Sequence, residues 1–139
     1  MKFWDASAIV VLCIDQPGSE AVRALARSDP DLVAWWGTPV ECWSAFGRAR
    51  REGRIDQRAE QAARRELELL RQAWDEIQPV DEVRRTADRL LRVHPLRAAD
   101  ALQLAAALLW AGDVRAEGFV CLDDRLREAA QLEGFAVLP

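Results

Sequence analysis

Apolar residues along the chain fall into short runs that alternate with segments of helical period. KFW (2–4) is a short apolar run of the kind that suits a central strand. ASAIVVLCI (6–14) follows as a first helix, and PGSEAVRALARS (17–28) as a second, with Gly18 and Ser19 as start signals. LVAWW (32–36) reads as a strand ended by Gly37. In TPVECWSAFGRARREG (38–53), Thr38 takes the N-cap, Pro39 the first helical position and Gly53 the far end. From Gln57 to about Glu76, Leu67, Leu70 and Trp74 recur at spacings of three and four, which predicts a helix. IQPV (77–80) reads as a short strand, and DEVRRTADRLLRV (81–93) as an amphipathic helix. HPLRAADALQLAAALLW (94–110) is a nearly all-apolar helix closed by Gly112. GFVCL (118–122) is a strand, DRLREAAQLEG (124–134) a helix and FAVL (135–138) a last strand.

Strands separated by helices imply a mostly parallel central sheet covered on both faces, a three-layer α/β/α sandwich. At 139 residues, with no internal repeat or linker, residues 1–139 read as one domain. Ligands of such sheets bind at the carboxyl ends of the strands, near the point where strand order reverses.

Composition narrows the class only a little. Half the residues are hydrophobic and 30% are charged, an ordinary globular balance. MKFWDASAIV passes straight into structured sequence, and AIVVLCI is far too short to span a bilayer, so a cytoplasmic protein with no membrane partner is expected. Cys13, Cys42 and Cys121 form no C-x-x-C pair and have only His94 to join them, which argues against a zinc site and for buried reduced thiols. A net charge of −4 without a basic tail argues against holding nucleic acid by bulk electrostatics, though not against handling phosphates through bound metal.

Four acidic residues stand where a strand gives way to a helix or where an apolar helix begins. Asp5 directly follows KFW, and Asp123 directly follows GFVCL. Each has an ordinary reading as a helix N-cap, worth about 1 kcal/mol. Glu41 falls in the first turn of the helix after the second strand, and Asp100 near the start of the most apolar helix. The helix dipole favours an anion at such positions by about 0.3–1 kcal/mol, which accounts for either one without any site. Taken together, however, the four could meet at one sheet edge. Two carboxylates about 4 Å apart repel by roughly 4 kcal/mol at an effective dielectric of about 20, so a cluster of four needs a cation. With no His or Cys ligand set, all-oxygen ligation points to Mg²⁺ or Mn²⁺. Such ions activate water and stabilise the leaving oxygen of a phosphodiester. The chemistry that follows is metal-dependent hydrolysis of a nucleic-acid backbone.

At these residues the chain resembles a known family. MKFWDASAIV, TPVECWSAF, HPLRAADALQLAAAL and FVCLDDRLREAAQLEGFAV, in order and in register, are similar to the PIN-domain ribonucleases, specifically the bacterial VapC-type toxins. The resemblance covers essentially the whole chain. It implies that Asp5, Glu41, Asp100 and Asp123 are the catalytic and metal-binding acids, that Mg²⁺ is the cofactor, and that RNA is cut endonucleolytically. It further implies a PIN-like fold, a cognate antitoxin as partner and a homodimeric state. Ser7 matches the small polar residue that supports the first aspartate. Cys121 is a departure, standing where relatives often carry Thr or Ser, and a thiol is a weaker hydrogen-bond partner for Asp123. Of the adjacent pair, Asp123 rather than Asp124 matches the fourth acid.

Other residues admit two readings. Arg48, Arg50, Arg51 and Arg54 cluster after Glu41 and serve either as phosphate contacts or as a solvated helix face. Arg97 precedes Asp100 by one turn, placed for a structural salt bridge with it or for substrate. Gln103 reads as facing a polar gap, His94 as structural, and one of Trp35 and Trp36 as core. Receiver and dehalogenase-like phosphotransfer folds also place an aspartate after the first strand, but they rely on a lysine beside the phosphoryl group. The only lysine here, Lys2, precedes Asp5 inside the first strand. A PIN-type nuclease acting in RNA processing or on DNA would use the same acids. A catalytically silent binding module would have no use for all four.

Overall fold

Phe3 and Trp4 are neighbours in the first strand and both fully buried, in cores on opposite faces of one sheet. A computed structural model of the chain describes residues 1–113 and 118–139. In chain order the elements are β1 (Lys2–Trp4), α1 (Ala6–Cys13), α2 (Ser19–Ser28), β2 (Leu32–Trp35), α3 (Thr38–Arg51) and α4 (Gln57–Ala73). They continue with β3 (Asp75–Ile77), α5 (Asp81–Val93), α6 (Ala98–Ala111), β4 (Gly118–Val120), α7 (Asp124–Leu132) and β5 (Ala136–Leu138).

The five strands form one all-parallel sheet in the order β3-β2-β1-β4-β5. Side chains alternate between its faces, as the pleat requires. Phe3, Val33 and Phe119 meet α5, α6 and α7, whereas Trp4, Leu32, Ala34 and Val120 meet α1 to α4. The α/β/α sandwich expected from the hydrophobic pattern is the observed fold. Buried leucines such as Leu90, Leu104 and Leu126 stabilise the α5–α7 layer by about 1.5–3 kcal/mol each. No helix among the described residues is long and apolar enough to cross a membrane.

The chain winds from β1 through β2 to β3 on one side, then crosses to β4 and β5 on the other. Strand order therefore reverses between β1 and β4, and the carboxyl ends of these two strands open the crevice in which ligands of such sheets bind. A hydrogen bond from the Asp5 amide to the Val120 carbonyl (3.0 Å) ties the two strand ends together.

Five local expectations shift. The apolar helix opens at Ala98 and not at His94, which instead caps the end of α5. The N-cap of α3 is Gly37, not Thr38, so Pro39 is the second helical residue. A Cβ at Gly37 would collide with the Trp35 indole, and the Thr38 hydroxyl is occupied elsewhere. Helix α4 stops at Ala73, where the Trp74 amide closes on Leu70, rather than running to Glu76. The third strand is therefore Asp75–Ile77 and not 77–80, since Pro79 has no N–H for a ladder. β4 ends at Val120, so Asp123 lies three residues beyond the strand and opens α7.

Candidate metal-dependent site at the switch point

Asp5 is 4% exposed and caps α1. Its Oδ2 accepts from the Ser7 amide (3.0 Å) and the Ser7 hydroxyl (2.5 Å), and lies 3.5 Å from the Cys121 thiol. The Ser7 oxygen in turn accepts from the Leu122 amide (2.9 Å), which locks it between β1 and β4. All of these contacts fall on Oδ2 and none on Oδ1. Burial pushes the Asp5 carboxyl above its ordinary range, against the pull of the Ser7 hydrogen bonds. Ser7 thus supports Asp5 as expected. Cys121, expected beside the Asp123 carboxylate, instead reaches Asp5 and the Asp123 main-chain carbonyl (3.7 Å).

Glu41 sits in the first turn of α3, one turn after Thr38. Its Oε2 accepts from Gln103 Nε2 (2.7 Å), and the same nitrogen donates to Thr38 Oγ1 (3.1 Å). Gln103 and Thr38 are both fully buried. Burial, then the negative charges of Asp5 and Asp100, push Glu41 up to about 8, while the Gln103 hydrogen bond opposes them. Gln103 and Thr38 are the site residues that sequence reasoning missed. The available signal was spacing: Gln103 is three residues after Asp100 on α6, and Thr38 three before Glu41 on α3, so each shares its helix face with an acid.

Asp100 is half-buried at the third position of α6, where its Oδ2 accepts from the Arg97 amide (3.2 Å). This is the acceptor half of a capping box. The expected ion pair is absent: Arg97 forms none among the described residues, because its backbone, not its guanidinium, serves Asp100. Asp123 is exposed and caps α7, its Oδ1 accepting from the Leu126 amide (2.9 Å). Asp124 is the exposed first residue of that helix.

Glu41 and Asp100 line one cleft with Ser7, Arg48 and Arg97, and Asp5 lies directly behind Ser7. The fold thus brings Asp5, Glu41 and Asp100 into electrostatic contact, with Asp123 at the neighbouring strand end. Among the described residues, no three acidic, His or Cys side chains are drawn together as a ready-made ligand cage. Mutually repelling carboxylates, Asp5 buried and Glu41 and Asp100 half-buried, with no His ligand are a donor set suited to a hard divalent cation.

The arginine cluster divides. Arg50 lies 3.9 Å from Glu60, and Arg54 pairs with Glu52 at 3.0 Å. Arg51 is exposed beside Gly47 and does not line the cleft. Arg48 and Arg97 enter no ion pair among the described residues and stand on the cleft wall. Arg48 and Arg54 also line an adjoining groove against α1, with Val10 and Leu122. Trp35 is core, and Trp36 is half exposed. His94 is buried beside Glu133 (2.8 Å) and does not line the acidic cleft. The three cysteines are free thiols, each made harder to ionise by burial.

No protein-family model and no curated protein sequence matches the chain. Solved structures do. VapC20 of Mycobacterium tuberculosis, a sarcin–ricin-loop-cleaving toxin, is similar at TM-score 0.71 and 19% identity, covering 100% of both chains. FitAcB of Neisseria gonorrhoeae is similar at TM-score 0.68 and 17% identity, over 100% of this chain and 97% of that one. PAE2754 of Pyrobaculum aerophilum gives TM-score 0.62 and 22% identity, over 98% and 81%. The chain has the PIN-like α/β/α fold of these structures, along its whole length in the first two comparisons.

Proposed function

We propose that the protein is a Mg²⁺-dependent endoribonuclease, the toxin of a toxin–antitoxin pair, with Mn²⁺ able to replace Mg²⁺. The observation that carries this reading is the grouping of Asp5, Glu41 and Asp100 at the β1/β4 switch point, where burial first, and then the charges of Asp5 and Asp100, push Glu41 up to about 8. The fold shared with a toxin that cleaves the sarcin–ricin loop supports the same reading.

Asp5, Glu41, Asp100 and Asp123 would hold the ion, which when bound supplies positive charge to the phosphodiester and makes water a better nucleophile. The rest is the work of this chain's own residues. Ser7 fixes Asp5 at the mouth of the crevice, and the Arg97 amide fixes Asp100. Arg48 and Arg97, unpaired on the cleft wall, contact backbone phosphates and set the strand against the acids. Phosphate contacts of this kind position RNA without reading its sequence.

The same reading gives the chain three further properties: a cytoplasmic location, a homodimeric state and an antitoxin partner. The antitoxin would lay a segment into the groove between α1 and α3 and offer a basic side chain to the acids.

The test is cleavage of a panel of structured RNAs by purified protein with Mg²⁺ or Mn²⁺, beside Asp5→Asn and Asp100→Asn. Metal-dependent cutting by the wild type, lost in both variants, is the expected result. A wild type that cuts nothing and binds no divalent ion returns the acids to helix capping.

A further inference from the structure

We propose that Gln103 is a positioning residue for Glu41: its buried amide holds the glutamate at the cleft, and this hold sets how tightly the site takes a divalent cation. The proposal rests on the metal-dependent reading above and adds a residue to it.

Gln103 is wholly buried in α6, a helix whose other buried residues are Ala and Leu. An amide in such packing costs roughly 1–3 kcal/mol for each group left unbonded. Its nitrogen spends both hydrogens, one on Glu41 (2.7 Å) and one on Thr38 (3.1 Å). Its Oε1 is buried with no partner at all. A leucine or methionine would fill the same volume without that penalty, so packing does not explain the residue.

The direction of the amide follows from its neighbour. With a cation bound, or above about pH 8, Glu41 is ionised and only accepts, so the NH₂ end faces it and the carbonyl is the end left unbonded. The choice of a neutral donor also matters. Asp5 and Asp100 both repel the Glu41 carboxylate and favour its swinging away from them. A lysine or arginine in place of Gln103 would hold it too, but would cancel the negative charge that attracts a cation. An amide restrains Glu41 and leaves its charge in place.

The experiment is a Mn²⁺ titration of the protein without RNA, reading free Mn²⁺ by electron paramagnetic resonance, with thermal unfolding recorded on each sample. Gln103→Met should bind Mn²⁺ about 10–100-fold more weakly than wild type, the usual penalty for losing a hydrogen-bond partner of a ligating group. Its unfolding midpoint should change little, since relief of the unbonded carbonyl offsets the donor lost to Thr38 and Glu41. Equal affinity in Gln103→Met and wild type overturns the role of Gln103 and leaves the metal reading standing. A wild type that binds no Mn²⁺ overturns both. A second readout needs no substitution: the Gln103 side-chain amide signals of the wild type should shift in NMR spectra on adding Mg²⁺. Unmoved signals with Mg²⁺ bound overturn the proposal.

Discussion

Glu133 and Glu41 are glutamates largely taken out of water, one ahead of β5 at the amino edge of the sheet, the other after β2 at its carboxyl edge. Glu133 receives both terminal nitrogens of Arg89 (3.0 and 2.9 Å) and lies 2.8 Å from His94 Nε2. These partners overcome burial and hold its carboxyl down at about 2. Glu41 has one neutral donor and two acidic neighbours, and it is pushed up to about 8. Burial acts in the same direction on both: at Glu41 it is the largest cause and the acidic neighbours add to it, whereas at Glu133 the Arg89 hydrogen bonds outweigh it. One edge of the sheet closes its electrostatics within the chain. The other leaves them open, with one buried and two half-buried acids repelling one another, a strain that the proposed cation would relieve.

The sharpest way to break this contrast is to open the closed edge. Arg89→Ala strips Glu133 of its bidentate partner and, because Arg89 is half-exposed, should cost on the order of 2 kcal/mol at neutral pH, measured by urea unfolding. The pH dependence carries its own sign. Because the folded value of Glu133 lies below the ordinary 4.5, its contribution is complete above that pH and is lost as pH falls through about 2. Arg89→Ala should flatten that acid-range loss.

Closing the open edge has the opposite effect. The folded value of Glu41 lies above the ordinary 4.5, so its contribution is complete below that pH and is lost as pH rises through about 8. Without divalent ions and above that pH, Glu41→Gln should therefore be more stable than wild type, by on the order of 2 kcal/mol in the same unfolding assay. RNA cleavage should be lost. Stabilisation together with lost activity is what distinguishes an acid kept for a ligand from one kept for the fold.

Cys121→Ser sharpens the comparison by a smaller step. It replaces a weak thiol donor 3.5 Å from Asp5 Oδ2 with a hydroxyl. The expected gain is about 0.5–1 kcal/mol at neutral pH, read as a higher thermal midpoint. It should vanish at a pH low enough to protonate Asp5.

The acids were legible because each marks a change of hydrophobic pattern: Asp5 where KFW stops, Asp100 where the most apolar helix starts. Their helix-capping roles were legible for the same reason, and the structure shows that capping and clustering are compatible. Asp5 caps α1 through Oδ2 alone. What holds Glu41 was hidden, since the Gln103–Glu41 contact joins residues 62 apart and no local pattern encodes it. The third strand was misplaced because IQPV is the more apolar run, whereas the ladder runs over Asp75–Ile77, an edge strand with little burial to mark it. Arg97 looked like a partner for Asp100 by its spacing of three. Periodicity places two residues on one helix face but does not say whether backbone or side chain makes the contact.

The most direct test of the central claim is thermal unfolding at alkaline pH with and without Mg²⁺, for wild type and Asp5→Asn. If the carboxyl edge is a cation site, Mg²⁺ should raise the wild-type midpoint progressively with concentration, reaching about 2.7 kcal/mol of stabilisation at a hundredfold excess over Kd. The rise should be absent in Asp5→Asn and fully retained in Arg89→Ala. A wild-type midpoint unmoved by Mg²⁺ would contradict the claim and leave Asp5, Glu41 and Asp100 as caps that the fold merely tolerates.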